Sequence, residues 1–179
     1  MQYLQNDPAV WAELFRGCKE QAFHFEVRDV YGVPQESEPL RRFLSGEPPL
    51  VDDYKSDWLE LVRETTGRGI AMGRIRVVTV PHSDYQRWLL SVTDSNVAAG
   101  EDIRYVPRHL AGEVPPDDWW MFDSERVVFN LAAENGASAP AMAASTDPRI
   151  IEYCQGVRQR LWELAVPYSE YVESDYARR

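Results

Sequence analysis

The sequence predicts a single α/β or α+β domain spanning residues 1–179, with a central mixed sheet flanked by helices. Three observations lead there: helical and strand periodicities are interspersed along the chain, Asp-Pro pairs open a helical stretch near each end, and no linker or fixed-period repeat divides the core. A hydrophobic content of 44% and an aromatic content of 12%, six Trp included, suit a chain that packs a core without disulfides or metals.

Asp7-Pro8 supplies an N-cap and a first-turn proline, and Trp11, Leu14, Phe15 and Cys18 follow at helical spacing. Phe23, Phe25 and Val27 alternate with Ala22, His24 and Glu26, which predicts a half-buried strand with His24 outward. After the break at Tyr31-Gly32-Val33-Pro34, residues 36–44 form a short helix with Leu40, Phe43 and Leu44 inward, stopped by Gly46 and Pro48-Pro49. Ser56 is placed to cap a helix carrying Trp58, Leu61 and Val62. Residues 71–80 carry the strongest strand pattern, with Ile75 and Val77 on one face and Arg74 and Arg76 on the other.

Ser83 is placed to cap a helix with Tyr85, Trp88, Leu89 and Val92 in one apolar stripe, followed by a turn at 95–99 and Gly100. Residues 102–106 read as a strand, and 119–122 with 126–131 as a hairpin turning at Asp123-Ser124-Glu125. The Ala-, Ser-, Gly- and Pro-rich stretch 134–146 reads as a flexible exposed loop. Asp147-Pro148 opens the last long helix, with Ile151, Cys154, Val157 and Leu161 inward, ending before Pro167; Tyr168 and Tyr171 anchor a short tail helix and Arg178-Arg179 fray.

A formal net charge of −10 argues against direct nucleic-acid binding and against anionic membranes, because both need a basic face. Cys18 and Cys154 are too few for a disulfide framework and read as buried free thiols. Residues 1–7 lack the basic start and apolar run of a secretion signal, and no segment is long enough to span a bilayer, so a cytoplasmic protein is expected.

The familiar catalytic motifs are absent: no phosphate-cradling glycine loop, no dinucleotide fingerprint, no nucleophile elbow, and no Cys or His cluster at metal spacing. No cofactor, metal or catalytic residue is therefore assigned. His82, beside Ser83-Asp84 at a strand-to-helix turn, stands where open α/β sheets often hold a ligand, although capping alone accounts for Ser83. His109 falls in an expected loop. The richest polar set is Arg74, Arg76, Asp84, Arg87, Glu101, Asp102, Arg104 and Asp123, joined by Trp119 and Trp120. Arg forks positioned by carboxylates can hold an anion or a partner, and equally can tie neighbouring strands together as ion pairs. Trp119 and Trp120 point to opposite faces of their strand, and both are core if both faces are covered.

Arg-Ile-Arg-Val-Val at 74–78, Ser-Asp-Tyr-Gln-Arg-Trp at 83–88, Asn-Val-Ala-Ala-Gly-Glu-Asp-Ile-Arg at 96–104 and Asp-Trp-Trp-Met-Phe-Asp at 118–123 resemble an actinobacterial family of unknown function. The likeness covers most of the chain, including Phe-Leu-Ser-Gly-Glu-Pro at 43–48 and Ala-Val-Pro-Tyr-Ser-Glu-Tyr at 165–171. Members of that family are often encoded beside helix-turn-helix regulators, which implies a regulatory or partner-binding role. A strand ending in Asp-Ile-Arg, then a hairpin with Asp at its turn, is also similar to one half of a phospholipase D-like domain. That family needs a His-x-Lys pair, whereas Lys19 and Lys55 are the only lysines here, which implies a catalytically empty version serving as a ligand-sensing or dimerising module.

Two functional expectations result. The first is a non-enzymatic regulatory or interaction module whose partner is a protein, such as a helix-turn-helix transcription regulator, with a homodimer also admitted. The alternative is an enzyme or small-anion receptor built on Arg74, Arg76, Arg87 and Arg104, with Asp84 or Glu101 orienting them.

Overall fold

The computed structural model describes residues 1–49, 52–132 and 137–178. Asp7 caps the first helix, α1 (Pro8–Gly17), by accepting hydrogen bonds from the Ala9 and Val10 N–H groups, and Pro8 occupies its first turn. Strand β1 (Gln2–Gln5) precedes α1, and β2 (Gln21–Glu26) follows it. Helices α2 (Ser37–Ser45) and α3 (Ser56–Gly67) lead to β3 (Ala71–Val78). Helices α4 (Asp84–Val92) and α5 (Asp94–Ala98) then lead to β4 (Glu101–Pro107).

After the one-turn α6 (Arg108–Ala111), strands β5 (Asp118–Phe122) and β6 (Arg126–Asn130) form the expected hairpin. Strand β7 (Ala141–Ser145), helix α7 (Pro148–Leu164), strand β8 (Val166–Pro167) and helix α8 (Tyr168–Tyr171) complete the chain. Ser83 caps α4 through the Gln86 N–H and Asp147 caps α7 through the Arg149 N–H, as the sequence requires.

All the strands join one sheet in the order β1-β7-β6-β5-β2-β3-β4-β8. Its centre, β2-β3-β4, is parallel, and the strands on both sides are antiparallel, so the sheet is mixed. The parallel pairs force crossovers of a dozen or more residues, which α2 with α3 and α4 with α5 supply. Helix α7 buries Ile151, Cys154, Val157 and Leu161 against Phe23, Phe25, Ile75, Trp119 and Met121 on one face. On the other face Leu14 and Phe15 of α1 and Leu59 and Val62 of α3 cover Ala22, Met72, Trp120 and Phe122. This helix–sheet–helix layering positions everything below.

Covering both faces changes the reading of β2. Alternation alone assigned His24 to solvent, but β2 lies between β3 and β5 under the α1–α3 layer, and His24 is only 7% exposed. A strand this central has no wet face. Within the stretch expected to be a loop, residues 134–136 lie outside the described residues, while Ala141–Ser145 form β7 between β1 and β6. The small side chains of β7 let it pack closely, and Met142 and Ala144 enter the core beside Phe122 and Val128. The expected turn at 95–99 is helix α5, and the loop around His109 contains α6. Ser56 is the first residue of α3, and Lys55 occupies the cap position before it. Cys18 and Cys154 are buried free thiols.

Candidate functional site

The registers of the three parallel strands fix where the polar residues meet. His24 lies opposite Arg74, Glu26 opposite Arg76, and Arg76 opposite Tyr105, so these side chains share the sheet face under α3, α4 and α5. Arg74 donates from Nε and Nη2 to Glu101 Oε1 at 2.9 and 2.7 Å, and from Nη1 to Glu26 Oε1 at 2.6 Å. Arg76 donates from Nε to Glu26 Oε2 at 2.5 Å, and from Nη1 to Thr93 Oγ1 at 2.8 Å and the Tyr105 hydroxyl at 2.9 Å. The remaining Glu101 oxygen accepts from Asn96 Nδ2 at 2.8 Å. Two cations and two anions therefore balance inside a hydrogen-bonded ring contributed by three strands and the α4–α5 corner.

Burial makes this ring consequential. Arg74 is 6% exposed, Arg76 5%, Glu26 9% and Glu101 2%. Burial alone would push the Glu26 carboxyl up, but the flanking Arg74 and Arg76 guanidinium groups outweigh it and hold the carboxyl far below the usual range. Burial likewise opposes the charge on both arginines; Glu101 and Glu26 overcome it at Arg74, and Tyr105 with Glu26 overcomes it at Arg76. No nitrogen of Arg74 or Arg76 is buried without a hydrogen-bond partner. The Arg74 guanidinium also lies 5.7 Å from the ring centroids of Trp58 and Trp120. His24 stacks on Trp120 at 4.2 Å, and burial, aided by both arginines, holds its imidazole well below its usual pKa.

A second polar set borders the ring. Asp118, at the start of β5, accepts from the Val27 N–H at 2.8 Å, and burial together with the Glu26 charge pushes its carboxyl up to about 6. Glu36 accepts from the Tyr85 hydroxyl at 2.5 Å and is raised by burial. Past the carboxyl ends of the parallel strands, Asp29 accepts from the Thr79 N–H and hydroxyl at 2.8 and 2.6 Å. There His82 donates from Nδ1 to the Thr79 carbonyl at 2.9 Å, and its Nε2 shares a hydrogen bond with the Tyr171 hydroxyl at 3.1 Å, so both ring nitrogens are engaged.

The residues singled out from sequence separate into five places. Arg74, Arg76 and Glu101 converge in the ring. Asp84 and Arg87 pair with each other on the exposed side of α4. Arg104 lies on the opposite sheet face, opposite Ile75, where its guanidinium stacks 4.0 Å from the Trp162 centroid and bonds Asp102. Asp123 sits at the hairpin turn with φ 53° and accepts from the Lys19, Glu20 and Gln21 N–H groups at 2.9, 2.8 and 3.0 Å, and from Cys18 Sγ at 3.3 Å. Trp119 and Trp120 are core on opposite faces, 0% and 4% exposed. Sequence reasoning missed Glu26, Thr93, Asn96, Tyr105 and Asp118. Glu26 had a signal, since it shares strand parity with His24, but its tie to β3 needed the strand order.

Surface grooves of about 760 and 590 Å³ lie away from the ring. Among the described residues, no group of three or more His, Cys, Asp or Glu could hold a metal ion, and no helix is long and apolar enough to cross a membrane.

The fold is similar to that of known structures. Nuc from Salmonella typhimurium, a phospholipase D family member, aligns with a TM-score of 0.51 at 10% identity, over 93% of this chain and 96% of its own. NucT from Helicobacter pylori gives 0.52 at 10% identity, over 93% and 97%. TrmBL2, an archaeal chromatin protein with a novel mode of DNA binding, gives 0.52 at 10% identity over 92% of this chain, which spans only 53% of TrmBL2. At such identity the likeness concerns the fold alone. No curated protein matches the sequence. The family model of DUF6879, a domain of unknown function, matches residues 9–173, and the chain belongs to that family.

Proposed function

We propose that the domain is a non-enzymatic regulatory module of the cytoplasm that binds a protein partner, namely a helix-turn-helix transcription regulator of the kind encoded beside the actinobacterial proteins it resembles. One observation carries this reading: the arginines best suited to an incoming anion, Arg74 and Arg76, are already bonded to Glu26 and Glu101 and buried. An anion taking the place of Glu26 between the two guanidinium groups, or of Glu101 on Arg74, would leave that carboxylate uncompensated, at a cost of about 3–5 kcal/mol.

The likeness to phospholipase D family folds supports the same reading, because β5 carries no His-x-Lys pair. The candidate residues within reach of a partner are Asp84 and Arg87 on α4, paired with each other and exposed, and the half-covered Arg104, paired with Asp102; Arg74, Arg76, Glu101, Trp119, Trp120 and Asp123 hold the scaffold.

Light scattering of the chain mixed with the regulator encoded beside it tests the proposal, together with hydrolysis of a chromogenic phosphodiester. A heterocomplex weakened at least about tenfold by Arg87→Glu, with hydrolysis at the buffer rate, is expected. Absence of a complex, combined with a small anion that raises the melting temperature, would overturn it in favour of the receptor reading.

A further inference from the structure

The two ends of the sheet are treated differently. At one end β8 is two residues long and contains Pro167, which blunts that edge. At the other, β1 offers Gln2–Gln5 with no proline and no charge, and Tyr3 is 72% exposed. Neither residues 1–6 nor residues 137–146, which include the neighbouring strand β7, carry a charged side chain, in a chain of net charge −10. The strand edge itself therefore opposes no charged side chain to a second copy, and the carboxylates nearest it, Glu13, Asp123 and Glu125, share their groove with Lys19 and Arg126.

Hydrogen-bond parity defines what the edge can accept. The Asn6 N–H bonds the Pro140 carbonyl at 2.9 Å, and Asn6 and Pro140 continue the register in which Leu4 faces Met142 and Gln2 faces Ala144. In an antiparallel ladder bonded pairs alternate, so Gln2, Leu4 and Asn6 direct their backbone groups to β7, while Tyr3 and Gln5 direct theirs outward. A second β1 running antiparallel about a two-fold axis at Leu4 pairs Tyr3 with the other copy's Gln5 and Gln5 with its Tyr3. That register makes four backbone hydrogen bonds, keeps every side chain on its own face, and brings the two Leu4 residues together as a non-bonded pair with Cα atoms about 4.5 Å apart. Leu4 also lines the groove of about 590 Å³, whose wall mixes the apolar Val10, Leu14 and Phe122 with the charged Glu13, Lys19, Glu125 and Arg126, so the pairing rests on the backbone ladder and the Leu4 contact.

We propose that β1 is a homodimerisation edge, joining two copies into one continuous sheet through Tyr3 and Gln5. The contact is small and neutral, so association is weak and shows as a concentration-dependent equilibrium. It does not depend on the regulator-binding reading.

Sedimentation velocity from micromolar to millimolar chain concentration tests it on three proteins. Gln5→Pro removes an outward N–H and no bond to β7, and Gln5→Ala retains that N–H. The expected result is a dimer in the wild type and Gln5→Ala that is lost in Gln5→Pro, with the melting temperature unchanged. Amide exchange on the wild type gives an independent readout, with the Tyr3 and Gln5 amides slowing as concentration rises. A wild type that stays monomeric throughout, a dimer indifferent to Gln5→Pro, or concentration-independent exchange at both amides would overturn the proposal.

Discussion

Replacing Glu101 by Leu should be among the most damaging single changes in the molecule. The carboxylate is 2% exposed, receives two bonds from Arg74 at 2.7 and 2.9 Å, and accepts one from Asn96 at 2.8 Å. Its removal leaves two buried guanidinium groups facing the single charge of Glu26 and orphans the Asn96 amide. Losing one partner of a buried pair costs about 3–5 kcal/mol, a large share of the ~5–15 kcal/mol that holds a domain together. With a urea slope of about 2 kcal/mol/M, the unfolding midpoint should fall by about 1.5–2.5 M. The double variant Arg74→Met/Glu101→Leu removes the charge and its partner together and should recover at least half of the loss, because an apolar pair of similar volume carries no desolvation penalty. Chemical denaturation followed by Trp fluorescence measures both. If Glu101→Leu shifts the midpoint by less than about 0.5 M, or the double variant is less stable than the single, the ring is not a coupled buried unit.

Two buried carboxylates contribute to the pH dependence with opposite signs. Asp118 has a folded pKa of about 6 against an ordinary 3.8, so the folded state binds the extra proton; its contribution is full below 3.8 and is lost as pH rises through 6. Asp118→Asn should therefore flatten the stability profile between those values and raise stability at pH 7 by about 2–3 kcal/mol, measured by urea titration across pH. Glu26 acts oppositely: its folded pKa is depressed below 4.5, so its contribution is present above that value and declines on further acidification. Glu26→Gln should accordingly destabilise at pH 7 while weakening the loss of stability below pH 4.5, in the same titration. At Gly100, φ is 112° and an added Cβ would sit 2.8 Å from Thr66 Oγ1, so Gly100→Ala should cost about 1–3 kcal/mol by thermal unfolding. Asp123→Ala, which frees the N–H groups of Lys19, Glu20 and Gln21, should cost about 2 kcal/mol in the same assay.

The elements with strong local signals were legible from sequence: α1 and α7 from Asp-Pro caps, β3 from alternation, and the β5–β6 hairpin. Strands β1 and β7 were not, because four or five residues rich in Gln or Ala become a strand only through a partner far away in sequence. The same limit applied to the polar ring. Alternation placed Arg74 and Arg76 on one face, but Glu26 reaches them across 48 and 50 residues of chain and Glu101 across 27. Periodicity along a strand cannot say which strand lies beside it. His24 shows the cost of that limit, since outward and inward positions of a central strand have the same period.

The central claim is that the arginine–carboxylate ring is closed scaffold and not an anion receptor. Its most direct test is the pair of guanidinium Nε–H signals of Arg74 and Arg76, followed by ¹⁵N NMR on the wild type during titration with inorganic phosphate and then a dinucleotide. Bonded to Glu101 at 2.9 Å and Glu26 at 2.5 Å, both should exchange slowly and stay unmoved throughout. A saturable shift or broadening of either signal would contradict the claim and make the ring a binding site.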